Sequence, residues 1–80
     1  MNTASNDNQV DERIYLDSLI NENEAAAFLG YSVRALQNWR VRGGGPAFVK
    51  VSSRSVRYRR RDLIAWTEAR LRRSTSEEAA

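Results

Sequence analysis

Arg34, Asn38 and Arg42 recur at intervals of four residues, with Gln37 beside them. An interval of four is little more than one helical turn, so on a helix these side chains share a face. Each ends in a planar group that can make two parallel hydrogen bonds. A guanidinium matches O6 and N7 of guanine, and a carboxamide matches N6 and N7 of adenine. Such a face is what reading base edges from a major groove requires. The plainer alternative is a merely solubilising surface. The charge around these residues weighs against that alternative.

Between Tyr31 and Arg61 there are nine basic residues and no acidic one. The first 30 residues carry one basic and six acidic residues, and residues 62–80 carry three basic and four acidic. The total of +3 therefore hides a +9 block flanked by acid. A block of one sign repels itself and calls for an external polyanion, of which nucleic acid phosphate is the commonest. The block also holds Tyr31, Trp39, Phe48 and Tyr58, so it is not a solvated tail.

A second basic set follows. Lys50, Arg54, Arg57 and Arg59 decorate two short alternating runs joined by Ser52-Ser53-Arg54-Ser55. This reads as a hairpin with a small polar tip, able to enter a minor groove or lie along phosphates. Alternation puts Arg57 and Arg59 on one face and Val56 and Tyr58 on the other. Arg59-Arg60-Arg61 leads into the last helix, where at least one arginine is expected to meet phosphate. Trp39 and Trp66 fit core positions better than stacking platforms for single-stranded bases.

Other chemistries lack residues. The chain has no His and no Cys, which removes the usual general base, thiolate nucleophile and metal ligands. The carboxylates of the core region are Glu22, Glu24, Asp62 and Glu68, and no pair has a spacing that suggests acid–base work. Gly43-Gly44-Gly45 lacks the Lys and the Ser or Thr of a phosphate-binding loop. We expect no enzyme, cofactor or metal. No apolar run approaches the roughly 20 residues that cross a bilayer. The start is polar and acidic, unlike a signal peptide, and a cytoplasmic setting fits.

The elements that hold these residues are short. Asn21 with Glu24 forms a capping-box pattern ahead of a helix over 22–29, and Gly30 ends it. Ser32 caps a second helix over 33–42, with Val33, Leu36 and Trp39 on its apolar side and Gly43 after it. Strands are expected at 48–51 and 56–59, and a last helix at 62–73 with Arg70, Arg72 and Arg73 in its final turn. Residues 1–17 read as a disordered acidic arm, 18–73 as one domain and 74–80 as a loose tail. The fold class is α+β: a small winged helix-turn-helix with a two-stranded hairpin wing and a C-terminal helix. Eighty residues allow one core, worth about 3–5 kcal/mol.

The pieces EAAAFLGYS, RALQNWR, GGGPAFVKV and VRYRRRDLIAWT resemble the AlpA-like and excisionase-like helix-turn-helix proteins of phages and integrative elements, within the wider group that includes MerR-type DNA-binding domains. The resemblance covers about residues 19–70. It implies that the second helix enters a major groove and the wing an adjacent minor groove or backbone. That assigns Ser32, Arg34, Gln37, Asn38, Ser53 and Arg54 to DNA, with Lys50 and Arg57 on phosphates. Arg42 joins them from its helix face and Arg59 from the ribbon. The SSRSV turn is longer than the GRRV type, and Tyr31 stands where a small aliphatic residue is usual.

Such proteins often act as recombination directionality factors that bind repeated sites, bend DNA and assist an integrase. Others are small transcriptional regulators. The partners implied are double-stranded DNA, an integrase and further copies of the chain assembling side by side on DNA, with no membrane. The acidic arm is expected either to touch a neighbour's basic face or to screen its own. A rival from another class is a protein-docking adaptor or DNA-packaging winged-helix module.

Overall fold

The computed structural model describes residues 11–76. Residues 11–17 form a helix, α1, followed by β1 (Leu19–Ile20), α2 (Glu22–Leu29), α3 (Val33–Arg42), β2 (Val49–Ser52), β3 (Ser55–Arg59) and α4 (Arg60–Ala69). The α+β class and the winged helix-turn-helix order stand as expected.

The local signals around the two central helices act as the chemistry requires. The Asn21 side chain accepts from the Glu24 amide at 2.8 Å, and the Glu24 carboxylate accepts from the Asn21 amide at 3.1 Å. Gly30 takes the left-handed conformation (φ 76°), and its N–H and that of Tyr31 close the end of α2. Ser32 Oγ accepts from the Ala35 amide at 3.1 Å and caps α3, which begins at the next residue. The start of α2 is thus written by Asn21 and Glu24, and the turn between α2 and α3 by Gly30 and Ser32.

The sheet has one more strand than expected. Its order is β1-β3-β2, all antiparallel. Leu19 pairs with Arg59 and Ile20 with Tyr58, so a two-residue apolar segment becomes the third strand. Two residues are too few to show alternation, which is why the sequence does not reveal a strand there. In the wing, Val49 pairs with Arg57 and Lys50 with Val56, and an irregularity between Lys50 and Ser52 precedes the Ser52–Ser55 closure. The strands lie at 49–52 and 55–59 rather than 48–51 and 56–59.

Six side chains make the core: Ile20, Ala25, Ala26, Leu36, Tyr58 and Leu63. Leu29, Val33, Trp39 and Val56 pack around them. The two alanines of α2 keep Leu36 of α3 and Leu63 of α4 close to its backbone. Trp39 stacks at a tilt on both Tyr31 (5.2 Å) and Trp66 (4.9 Å). A Cβ at Gly45 would lie 2.4 Å from the Trp39 Cβ, so the glycine run after α3 crosses the indole at a distance only glycine permits.

Two expectations at the ends are corrected. Residues 11–17 are helical rather than disordered, held by contacts to Arg60 and Arg61; residues 1–10 lie outside the described residues. The last helix runs 60–69 rather than 62–73. Arg70 leaves the helix axis to donate to the Gly44 carbonyl at 3.0 Å and to cover the Trp66 ring at 4.3 Å, and Leu71 beyond it is exposed. Of the expected tail, the structure describes residues 74–76 only.

Candidate nucleic-acid interface

The basic block divides into two groups. Four of its nine members are tied to residues of other elements, while Arg57 donates only to the carbonyl of its neighbour Val56 at 2.9 Å. Arg40 donates to the Tyr58 hydroxyl (2.7 Å) and to Glu22 (3.1 Å). Arg59 grips both oxygens of Asp62 at 2.9 and 3.0 Å. Arg60 donates to the Tyr15 carbonyl and lies 4.0 Å over the Tyr15 ring. Arg61 pairs with Asp17 at 2.5 Å. The counter-charges come from outside the block, so the expectation that the whole of it requires an external polyanion is too strong. Among the described residues the other five, Arg34, Arg42, Lys50, Arg54 and Arg57, form no salt bridge.

These five occupy α3 and the wing. Arg34, Gln37, Asn38 and Arg42 are all exposed on the side of α3 away from Val33, Leu36 and Trp39. A groove of about 390 Å³ separates that helix from the ribbon, and Gln37, Lys50, Ser53 and Arg54 line it together. A smaller hollow of about 230 Å³ adjoins it, with Arg54 and Arg57 facing Asn21 and Asn23 at the start of α2. Arg54 belongs to both. Ser32 stands at the head of α3 with its hydroxyl engaged in capping, as the notional first residue of the face.

The floor of the groove is a polar network. Glu22 accepts from Arg40 and, at 3.4 Å, from the Gln37 amide. Burial opposes the charge on Arg40, but the Tyr58 hydroxyl and the Glu22 carboxylate outweigh it and hold the guanidinium above its ordinary pKa. Arg40 is therefore a permanent cation beneath the groove, committed to joining α2, α3 and β3. The amide of Gln37 is oriented by its donation to a carboxylate, which can only accept.

Of the ten residues expected to make the site, nine lie on α3, at its cap, or on the wing side of the groove. Arg59 is the exception. Its fork is filled by Asp62 at the β3–α4 junction, and it pairs across β1 instead of facing the groove. Sequence reasoning missed Val41 and Phe48, both of which line the groove. The signal for Val41 was present: it lies seven residues after Arg34 and so falls on the same helix face.

An α-helix exposed on one side, set by a tight turn against a shorter helix and flanked by a β-hairpin, defines a winged helix-turn-helix, a DNA-binding architecture. A family model described as a helix-turn-helix domain matches residues 19–71. The chain belongs to that family, whose AlpA- and excisionase-like character agrees with the motifs of α2, α3 and the wing. It is a family of DNA-binding rather than catalytic domains. No curated protein is significantly similar to the chain. Among the described residues no helix is long and apolar enough to cross a membrane.

Proposed function

We propose that this helix-turn-helix protein binds DNA sequence-specifically as an excisionase, a recombination directionality factor of a mobile genetic element, and carries no catalytic activity of its own. In this reading α3 lies in a major groove. Arg34, Gln37, Asn38 and Arg42 meet base edges and neighbouring phosphates there, and Ser32 stands at the backbone. The wing lies alongside, with Arg54 and Ser53 at a minor groove and Lys50 and Arg57 on phosphates. Copies bound at repeated sites bend the duplex and present it to an integrase.

One observation supports this above the rest. Among the described residues, the five cations of the basic block with neither a salt bridge nor a bond to another element are all on α3 or the wing, and Lys50 and Arg54 line the groove between the two. Internal pairing has removed the others. What is left is a surface of matched charge and matched hydrogen-bonding groups.

The test is an excision assay with the element's own integrase, together with gel mobility of circularly permuted duplexes. Stimulated excision and a bend centred between repeated sites support the proposal. Promoter binding that alters transcript levels without affecting excision would make the chain a small transcriptional regulator of the AlpA type. Capture of a protein partner that survives both Arg34→Ala and Arg54→Ala, with no duplex binding, would make it a docking adaptor or packaging module.

A further inference from the structure

We infer that Val41 selects thymine, by contact with the 5-methyl group on the major-groove edge of the base. The inference rests on the DNA-binding reading above and adds a residue to it. Val41 is 87% exposed, more than any other large hydrophobic residue described. It follows Asn38 by three positions, Gln37 by four and Arg34 by seven, so it sits in the middle of the face those three present. It also lines the groove shared with Lys50, Ser53 and Arg54. Elsewhere on the surface a lone valine needs no explanation. Here its neighbours are the candidate base readers, so whatever surface they meet, the valine methyls meet too.

A duplex offers that face one apolar group. Guanine and adenine present N7 with O6 or N6, cytosine presents its amino group, and thymine presents O4 with a methyl. Arg, Asn and Gln can choose among guanine and adenine by paired hydrogen bonds. None of them recognises a methyl. A β-branched side chain, whose rotamer is restricted on a helix, offers two methyls in a fixed direction. Val41 thus supplies the one discrimination its polar neighbours lack. It does so without a hydrogen bond, so its contribution is insensitive to salt.

The experiment begins with selection of bound duplexes from a randomised library by the full chain, followed by replacement of each thymine of the selected site with deoxyuridine. Loss of the methyl at one position is expected to weaken binding by the natural chain about three- to fivefold. The Val41→Ser variant should bind the thymine and deoxyuridine duplexes equally, and Val41→Thr, which keeps one methyl, should retain part of the difference. Because the side chain is exposed, all three proteins should melt alike. Equal sensitivity of the natural chain and Val41→Ser at every thymine, or no sensitivity at any, overturns the role of Val41 while leaving DNA reading intact. A selection that enriches no sequence overturns the DNA reading, and this inference with it.

Discussion

Tyr58 does two things at once: its ring is 1% exposed in the core, and its hydroxyl accepts from Arg40. Tyr58→Phe keeps the first and deletes the second, leaving a half-buried guanidinium with one partner fewer. We expect a loss of about 1.5–3 kcal/mol in urea unfolding, as for hydrogen bonds to charged groups; an unchanged midpoint would show that the bond carries no stability. On the outer face of α3 the outcome differs in kind. Arg34→Ala or Asn38→Ala removes no internal partner, so stability should hold while discrimination at one base position falls by about 1–3 kcal/mol in competition binding. Uniform weakening across all sequences would instead place that residue on phosphate. These roles were only half legible beforehand. Arg34, Gln37 and Asn38 declare themselves by spacing, but Arg40 looks like one more surface cation until Tyr58 and Glu22, both 18 residues away, are brought to it.

At the scale of elements, α1 is the piece whose attachment can be switched. It is held by Tyr15 and Asp17 against the arginines at the start of α4. The hydrogen bond from Arg61 holds the Asp17 carboxyl below its ordinary pKa. The folded value lies below the unfolded one, so the contribution is complete above the unfolded value of about 3.9 and disappears as pH falls through the folded value. On acid titration below about pH 4 the backbone amide resonances of residues 11–17 should move toward unfolded positions, and Asp17→Asn should show that shift already at neutral pH. Identical spectra for the two proteins would mean that the ion pair does not hold α1. The sequence does not show this helix, because its content is polar and the residues that fix it are 44 and 45 positions away. By contrast α2 and α3 are legible to the residue. Their caps and terminating glycines are local signals that need no tertiary partner. The last helix is misjudged at its end for the opposite reason: Arg70 bonds Gly44, a contact 26 positions distant, and the final turn expected from propensity is lost.

For the whole molecule, net charge is a poor guide and the distribution of partners a better one. If all nine cations of the block met phosphate, log K would fall against log salt with a slope of about −8; the five on α3 and the wing alone predict a slope of about −4 to −5. A measured slope near the larger figure would show that the internal ion pairs exchange for phosphates on binding. The broad architecture was legible because its helices begin and end on strong local signals and its hairpin alternates. The division of the arginines was not, since pairing depends on which acidic residues the fold brings near, and those lie outside the block. With Tyr58 anchored at ring and hydroxyl, the ribbon and the helix beside it are joined before any duplex arrives, and little conformational freedom remains for binding to remove. A stiff clamp does not reshape itself around a straight rod. Where the two do not match, the strain passes into the nucleic acid, and sites whose base steps yield most readily would be favoured at positions no side chain touches.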